Sequence, residues 1–393
     1  MPWTVDWKVF VDGEDVTSAM QPFLMKISIS DKDGSASDTC SLELDDSGGQ
    51  LKLPAEGASV EVFLQGISAF SGKVDSVRSK GARGSGRSLS VGAKSFDVKG
   101  KAKEPQSHHM DDASLQQFLD KAAKGAGLKG ITIDPAFAGI VRDYWSASSE
   151  SFLHLGQKLA RELGGTFKIR GDQAVLAKRG QGLSAMGQPL PTIVGIAPPP
   201  NSTDGNVINW DIAPLEGRAK FARTKARYFD RASASFKEIE VETGVEAEAA
   251  SEVRTTVADK DQAKAVAEGR KTNSEREGGQ GSVEMDLDAT AQAEGTFIMK
   301  GARPGIDGVY RISGVDKKAD RSGGATMRLE IKQPTEGAGK DDRQPSTDKT
   351  GTFAGGEGGT SGGAAGGVNT SPAQGRSDSF AEYNRRYGRT DEN

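Results

Sequence analysis

The sequence predicts a mainly β protein. Its plan is two related, tube-like antiparallel β-barrel domains, a small helical α+β insert between them, and a disordered or extended Gly-rich C-terminal tail. Three observations predict it. Apolar and polar residues alternate with a period of two over residues 5–100 and again over much of 205–333, the pattern of half-buried strands. Between these regions, two apolar stripes switch to helical spacing. Residues 337–378 hold 12 glycines and, as large apolar residues, only Phe353 and Val368.

Residues 1–103 form the first predicted β domain. Met25, Ile27 and Ile29 alternate with Lys26, Ser28 and Ser30, and Cys40, Leu42 and Leu44 with Thr39, Ser41 and Glu43. Val60, Val62 and Leu64 alternate with Ser59, Glu61 and Phe63. Turns are expected at Asp33-Gly34, at 46–49 and over 80–86. Cys40 falls on the apolar face of its strand and reads as a core residue.

Residues 104–182 form the predicted insert. Asp111-Asp112 supply an expected helix cap ahead of the stripe Leu115, Phe118, Leu119 and Ala122, which Gly125 and Gly127 stop. A second helix is expected after Ser148 or Ser149, with the stripe Phe152, Leu155, Leu159 and Leu163 ending at Gly164-Gly165. Strands at 166–169 and 173–177 flank a Gly171-Asp172 turn. Residues 183–204 read as a Pro-rich connector, with Pro198-Pro199-Pro200 as a stiff spacer.

Residues 205–333 form the second predicted β domain, with strands near 207–212, 219–229, 236–241, 283–287, 309–315 and 327–331 and a helix over about 259–276. Residues 334–378 read as a flexible tether, because so few apolar side chains cannot offset the entropy of ordering. Residues 379–393 end the chain with Phe380, Tyr383 and Tyr387 spaced to share one helical face. They read either as a solvated terminus or as a docking peptide that folds on a partner.

Composition limits the function classes. The 393 residues include 51 glycines, about 13% against an average near 7%. The formal net charge of -4 argues against a strongly basic nucleic-acid binder. A single cysteine excludes an intramolecular disulfide framework and any zinc site built on paired thiolates. No run of 18 apolar residues offers a transmembrane helix, and the N-terminus lacks the apolar core of a signal peptide, so a cytoplasmic origin without a membrane anchor is expected.

Catalytic motifs are not found. His108 and His109 are neighbours in an expected polar connector and would point to opposite faces of a strand, so they are poorly placed to share a metal. His154 sits beside a helical stripe. The stretch from Gly66 to Gly72-Lys73-Val74 has the wrong glycine spacing for a phosphate loop and lacks the Ser or Thr after its lysine. Gly84-Ser85-Gly86 lacks the third glycine and the helix of a dinucleotide fingerprint. No catalytic, cofactor-binding or metal-ligating residue is assigned.

Two charge runs stand out. Residues 73–103 carry nine basic and two acidic side chains, and residues 236–261 carry eight acidic and three basic ones. The basic run reads as the solvated face of a hairpin or as an electrostatic interface to an acidic partner, and opposite patches on one chain would suit head-to-tail subunit contacts. A weak internal repeat links Val74-Asp75-Ser76-Val77-Arg78 with Ile312-Ser313-Gly314-Val315-Asp316, each followed by a Gly-rich turn and a strand.

This organisation resembles the phage late control D family, the baseplate hub proteins of contractile phage tails, which are similar to the hub half of type VI secretion spike proteins. The stretches that carry the resemblance are Asp38-Thr39-Cys40-Ser41-Leu42-Glu43-Leu44-Asp45-Asp46, Gly57-Ala58-Ser59-Val60-Glu61-Val62 and Phe70-Ser71-Gly72-Lys73-Val74. Others are Ser151-Phe152-Leu153-His154-Leu155, Gly164-Gly165-Thr166-Phe167, and Gly308-Val309-Tyr310-Arg311-Ile312-Ser313-Gly314-Val315 behind Lys300-Gly301. It covers about residues 5–333.

The resemblance implies a structural hub. It would be a homotrimeric ring whose two tube-like domains per chain match a sixfold tail tube to a threefold central spike. The implied partners are the tail tube protein, the central spike protein and other baseplate components. Phage DNA could pass through the lumen without specific nucleic-acid binding. The implied location is the virion tail baseplate, assembled in the host bacterial cytoplasm. No catalytic residue or cofactor comes with it. The tail lies outside the common pattern, and Phe380, Tyr383 and Tyr387 are the expected anchor to a neighbouring component. Two alternatives stay open: a carbohydrate- or protein-binding, adhesin-like β module, and a cell-envelope hydrolase associated with the spike.

Overall fold

The computed structural model describes residues 3–34, 37–84, 86–97, 100–184, 188–214, 221–243, 248–254 and 256–343. The first β region opens with β1 (Trp7–Val11), the two-residue β2 (Glu14–Asp15) and the single turn α1 (Thr17–Met20). There follow β3 (Leu24–Lys32), β4 (Thr39–Asp45), β5 (Ser59–Leu64), β6 (Ile67–Ala82) and β7 (Gly86–Lys94). Alternation sets which face is buried: Leu24, Ile27, Val62 and Leu64 are fully buried and Cys40 nearly so. The turn expected over 80–86 is shorter, because Lys80 and Gly81 still pair with Ser88 and Arg87. Gly84 and Gly86, not Gly81, take the positive φ that the reversal requires.

The insert comprises β8 (Pro105–Ser114), α2 (Leu115–Gly125), β9 (Gly130–Ile133), α3 (Pro135–Ala138), β10 (Val141–Ser151), α4 (Phe152–Leu163), β11 (Gly165–Arg170) and β12 (Gln173–Lys178). Both helical stripes are buried as expected, and Gly164 caps α4 in the left-handed conformation. The caps differ from expectation. Ser114 closes a capping box with Gln117, and Ser151 caps α4. Asp111, Asp112, Ser148 and Ser149 lie instead on β8 and β10, which pair antiparallel. His108 and His109 are therefore strand residues rather than connector. This ladder was hard to read because β8 is polar on both faces and mostly exposed. β9 pairs parallel with β12, completing a three-stranded sheet with β11.

The second β region holds β13 (Thr192–Ile196), β14 (Val207–Ala213), β15 (Arg223–Asp230), β16 (Ser235–Glu242), β17 (Ala250–Glu252), α5 (Lys260–Arg276), β18 (Gln280–Asp286), β19 (Thr296–Lys300), β20 (Gly308–Asp320) and β21 (Gly324–Thr335). The Pro-rich connector thus contains a strand, β13, which pairs parallel with β19. Strands β15 to β17 leave the main sheet, forming their own with the order β16-β15-β17 beneath α5.

One 13-stranded sheet joins the two β regions, because β3 pairs with β20. Within it the same topology occurs twice. The order β3-β4-β7-β6-β5-β1 is matched by β14-β18-β21-β20-β19-β13, position by position. The agreement extends to register. The pairs Val74–Ala93, Val77–Val91 and Ala82–Gly86 correspond to Ile312–Ile331, Val315–Leu329 and Asp320–Gly324, at one constant offset along both strands. Both hairpins carry a bulge at the same step, between Val74 and Ser76 and between Ile312 and Gly314. The β3–β4 bulge between Leu24 and Lys26 recurs in β14–β18 between Val207 and Asn209. The register aligns Ser41-Leu42-Glu43-Leu44-Asp45 with Ser282-Val283-Glu284-Met285-Asp286, a likeness that the turn lengths hide in sequence. The outermost pair differs, β1–β5 being antiparallel and β13–β19 parallel.

The main core draws on both β regions, from Val5 to Ala93 and from Ile193 to Ala338. The insert has a separate core centred on Phe118, Trp145, Phe152 and Phe167. A third, small core gathers Ala226, Tyr228, Val253, Ala263 and Ala267 under α5.

Candidate functional site

Polar side chains lock these three parts together. Lys168 projects from β11, where Gly165 to Ile169 are all buried. Its ammonium lies between Asp31 on β3 and Asp38, donating to Asp31 and, at 2.9 Å, to Asp38 Oδ1. Arg170 Nε donates to Asp38 Oδ2 at 3.2 Å, and the Ala293 N–H donates to Asp31 Oδ2 at 3.0 Å. Burial alone would raise the Asp31 carboxyl. The adjacent Lys168 and Arg170 charges and the donated hydrogen bonds outweigh it and hold Asp31 at about 2. Asp38 goes the other way, pushed up by burial and by the neighbouring Asp31 charge. Lys317 nearby donates to the Ala289 carbonyl at 2.6 Å, and desolvation lowers it to about 8.

Glu294 is a second lock, reached from all three parts. It accepts from Thr166 Oγ1 of the insert at 3.2 Å and from the Gly180 N–H at 3.0 Å. Arg276, at the end of α5, donates to Glu294 at 2.8 Å and to Asp33 at 2.5 Å. Glu294 has a left-handed backbone with φ of 70°, a strained position for a residue with a Cβ. Burying such groups is costly unless each charge is paired, and here Lys168, Arg276, Asp31, Asp38 and Glu294 each meet an opposite charge. These locks position the insert and α5 on the sheet.

The charge runs resolve differently. In the basic run, Lys73 pairs with Asp97 and Lys94 with Asp75, whereas Arg78, Lys80, Arg83 and Arg87 are exposed on the projecting β6–β7 hairpin. Part of the acidic run is met within its own sheet. Glu240 pairs with Arg223 at 3.0 Å, Glu238 with Lys225 at 3.1 Å and Glu252 with Arg227 at 3.2 Å. That cross-strand ladder engages three of the run's eight acids, and Glu242, Glu248 and Asp261 are exposed.

A cleft of about 660 Å³ separates the insert from β15, β16 and α5. Of its four carboxylates, Glu162, Asp230 and Asp259 are engaged, Asp259 accepting from the Gln262 N–H at 2.8 Å, and Asp143 is exposed. Glu162 accepts from Arg142 and Gln262, and Lys237 and Ser233 hold Asp230 down at about 2. His108 packs on Phe118 and His109 on Tyr144, and His154 is exposed. Among the described residues no group of three or more His, Cys, Asp or Glu side chains is arranged to hold a metal ion. No described helix is long and apolar enough to cross a membrane. Phe380, Tyr383 and Tyr387 lie outside the described residues.

Known structures share this architecture. A tail protein from Neisseria meningitidis superposes with a TM-score of 0.62 at 15% identity, over 84% of this chain and 96% of its own. The 43 kDa tail protein of prophage MuSo2 from Shewanella oneidensis gives 0.59 at 13%, over 84% and 98%. The fold is that of phage tail proteins. The tail-protein fold extends to an Escherichia coli component of the type VI secretion system, described as structurally similar to T4 bacteriophage tail proteins, with a TM-score of 0.52 at 11% identity over 86% of this chain and 79% of that one. No family model matches the chain. By sequence it is similar to the probable baseplate hub protein of Escherichia phage P2, 28% identical over 196 residues, which is 48% of this chain and 49% of the relative. The probable baseplate hub protein of Escherichia phage 186 is 27% identical over 184 residues, 46% of this chain and 47% of the relative. The match thus spans about half the length of these curated relatives.

Sequence reasoning missed both locks of this tail-protein fold. One signal was available: Lys168 is a lone charge inside the otherwise uncharged run Gly165-Thr166-Phe167-Lys168-Ile169. A charge on a wholly buried strand needs a partner. Which carboxylates would meet it depends on tertiary packing and has no local signature.

Proposed function

We propose that the chain is the structural hub of a contractile phage-tail baseplate, a trimer that joins a sixfold tail tube to a threefold central spike. The observation that carries the reading is the duplicated six-stranded unit with matched order, register and bulges. Two such units per chain turn three chains into six wall segments. The similarity to probable baseplate hub proteins supports the same role. On this reading the chain is not an enzyme. It acts in the virion baseplate after assembly in the host cytoplasm, with the tail tube, the spike and other baseplate components as partners. Residues 1–103 and 205–333 would be the two tube-like domains, the second completed by β13 (Thr192–Ile196) from the connector, and 104–182 the insert. Light scattering of the purified full chain should give a trimer, and electron microscopy a ring with six wall segments. A monomer that fails to form rings with spike or tube protein would overturn it.

Residues 334–378 would act as a tether and Phe380, Tyr383 and Tyr387 as its anchor on a neighbouring baseplate component. Deleting residues 377–393 should then reduce infectivity, and unchanged assembly and infectivity would remove the proposal.

A second reading, a glycan- or protein-binding module, draws on exposed aromatics. Phe229 and Phe236 form an edge-to-face pair with centroids 5.3 Å apart and are 39% and 70% exposed. Glycan-array binding abolished by Phe236→Ala would favour it.

A further inference from the structure

The internal repeat leaves two strand edges open whose counterparts are joined to each other inside the chain. β20 has a divided outer edge. Residues 308–311 pair with β19, and residues 314–320 pair with β3. Its counterpart β6 pairs with β5 through Lys73, but from Ser76 to Gly81 it pairs only with β7 among the described residues. The counterpart of β3 is β14, which pairs with β18 and, among the described residues, with no other strand. Six strands separate β14 from β6 within the sheet, so the two edges do not meet in one chain.

We propose that β14 of one chain adds antiparallel to β6 of a second copy, repeating the β3–β20 junction between molecules. The internal register transfers directly. Lys318 faces Ser28 and Ala319 faces Ile27 within the chain. The equivalent positions place Lys80 opposite Asp211, Gly81 opposite Trp210, and Ser79 opposite Ile212.

Exposure and chemistry both fit this occupant. Ile27 and Ala319 are fully buried at the internal junction, whereas Trp210, in the place of Ile27, is 38% exposed and Gly81, in the place of Ala319, is exposed. Lys80 and Asp211 are both exposed and of opposite charge, and opposite charges directly across an antiparallel pair are favourable. A glycine facing an aromatic residue leaves room for the ring to lie across the neighbouring backbone. An open edge with unpaired backbone groups is a template for another chain. The contact is head-to-tail, so repetition closes into a ring when the rotation permits.

The inference rests on the hub reading for the number of copies, and a cross-linking test separates the two. The full chain carrying Lys80→Cys and Asp211→Cys is oxidised and resolved on a non-reducing gel. Cys40 is buried and does not compete. The expected product is a covalent ladder that stops at three, with far less product from Lys80→Cys combined with Asn209→Cys. In parallel, Lys80→Glu should raise the concentration at which the assembly dissociates about tenfold or more, and Lys80→Glu with Asp211→Lys should restore it. A stable trimer that gives no cross-link overturns the edge pairing and leaves the hub reading standing. A ladder running well past three supports the edge pairing and overturns the threefold ring. A chain that neither assembles nor cross-links, by itself or with spike or tube protein, overturns both.

Discussion

Replacing Asp31 by asparagine removes one charge from the junction between sheet and insert while keeping the side chain's size. The amide oxygen can still accept from the Ala293 N–H, which lies 3.0 Å from Asp31 Oδ2. What is lost is the preference of the folded state for the carboxylate. Holding Asp31 at about 2 instead of its ordinary 3.8 is worth about 2 kcal/mol at pH 7. Relief of the repulsion between Asp31 and Asp38 returns part of this, so about 2 kcal/mol is an upper figure. The sign with pH is definite. A lowered carboxyl contributes its full stability above its ordinary value and loses it as pH falls through its folded value. The gap between wild type and Asp31→Asn should therefore be largest near neutrality and shrink from pH 4 toward pH 2. Urea unfolding followed by tryptophan fluorescence at pH 7, 4 and 3 measures it. Asp38→Asn is the internal comparison and should cost less, because burial and Asp31 already disfavour its charge. A variant as stable as wild type at pH 7, or a gap that widens on acidification, would refute the reasoning.

Three further outcomes follow from the packing. Lys317→Met should stabilise the protein at pH 7 by about 1–3 kcal/mol, since desolvation lowers the lysine from 10.5 to about 8 and its charge is a cost below that value. The advantage should fade as pH rises from 8 toward 10.5, as urea midpoints would show. Gly156→Ala places a Cβ 2.4 Å from the Phe167 ring. Crowding of about 1–3 kcal/mol outweighs a helix-propensity gain of about 1 kcal/mol, so calorimetry should show a lower Tm. Cys40, buried and pushed up to about 12, should resist a thiol reagent at pH 8 until denaturant is added.

How much was legible in the sequence differs between elements. β3, β4 and β5 were readable because one face is buried and the other wet, so alternation survives in the residues. α2 and α4 were readable because their stripes end at glycines. β13 and β19 were not. β13 hides among prolines, and β19 is only five residues long. The β8–β10 ladder was missed because polar residues on both faces erase the period. The repeat was legible as a single hairpin; its full extent required hydrogen-bond partners, because equivalent strands are separated by unlike loops. The candidate site was the least legible part. Asp31, Asp38, Lys168, Arg276 and Glu294 come from distant segments, and only packing makes them one cluster.

The turn between β3 and β4 has one further consequence. In the first repeat it spans residues 33–38, whereas its counterpart between β14 and β18 spans residues 214–279 and holds β15, β16, β17 and α5. Register on either side is nevertheless the same, bulge included. The wall is indifferent to what hangs from this station. It behaves as a graft point, where a six-residue loop and a folded lobe are interchangeable without moving a wall hydrogen bond. Three copies in the proposed ring would then carry three such lobes, one for each second repeat, while strand order and register stay the same on either side of every lobe.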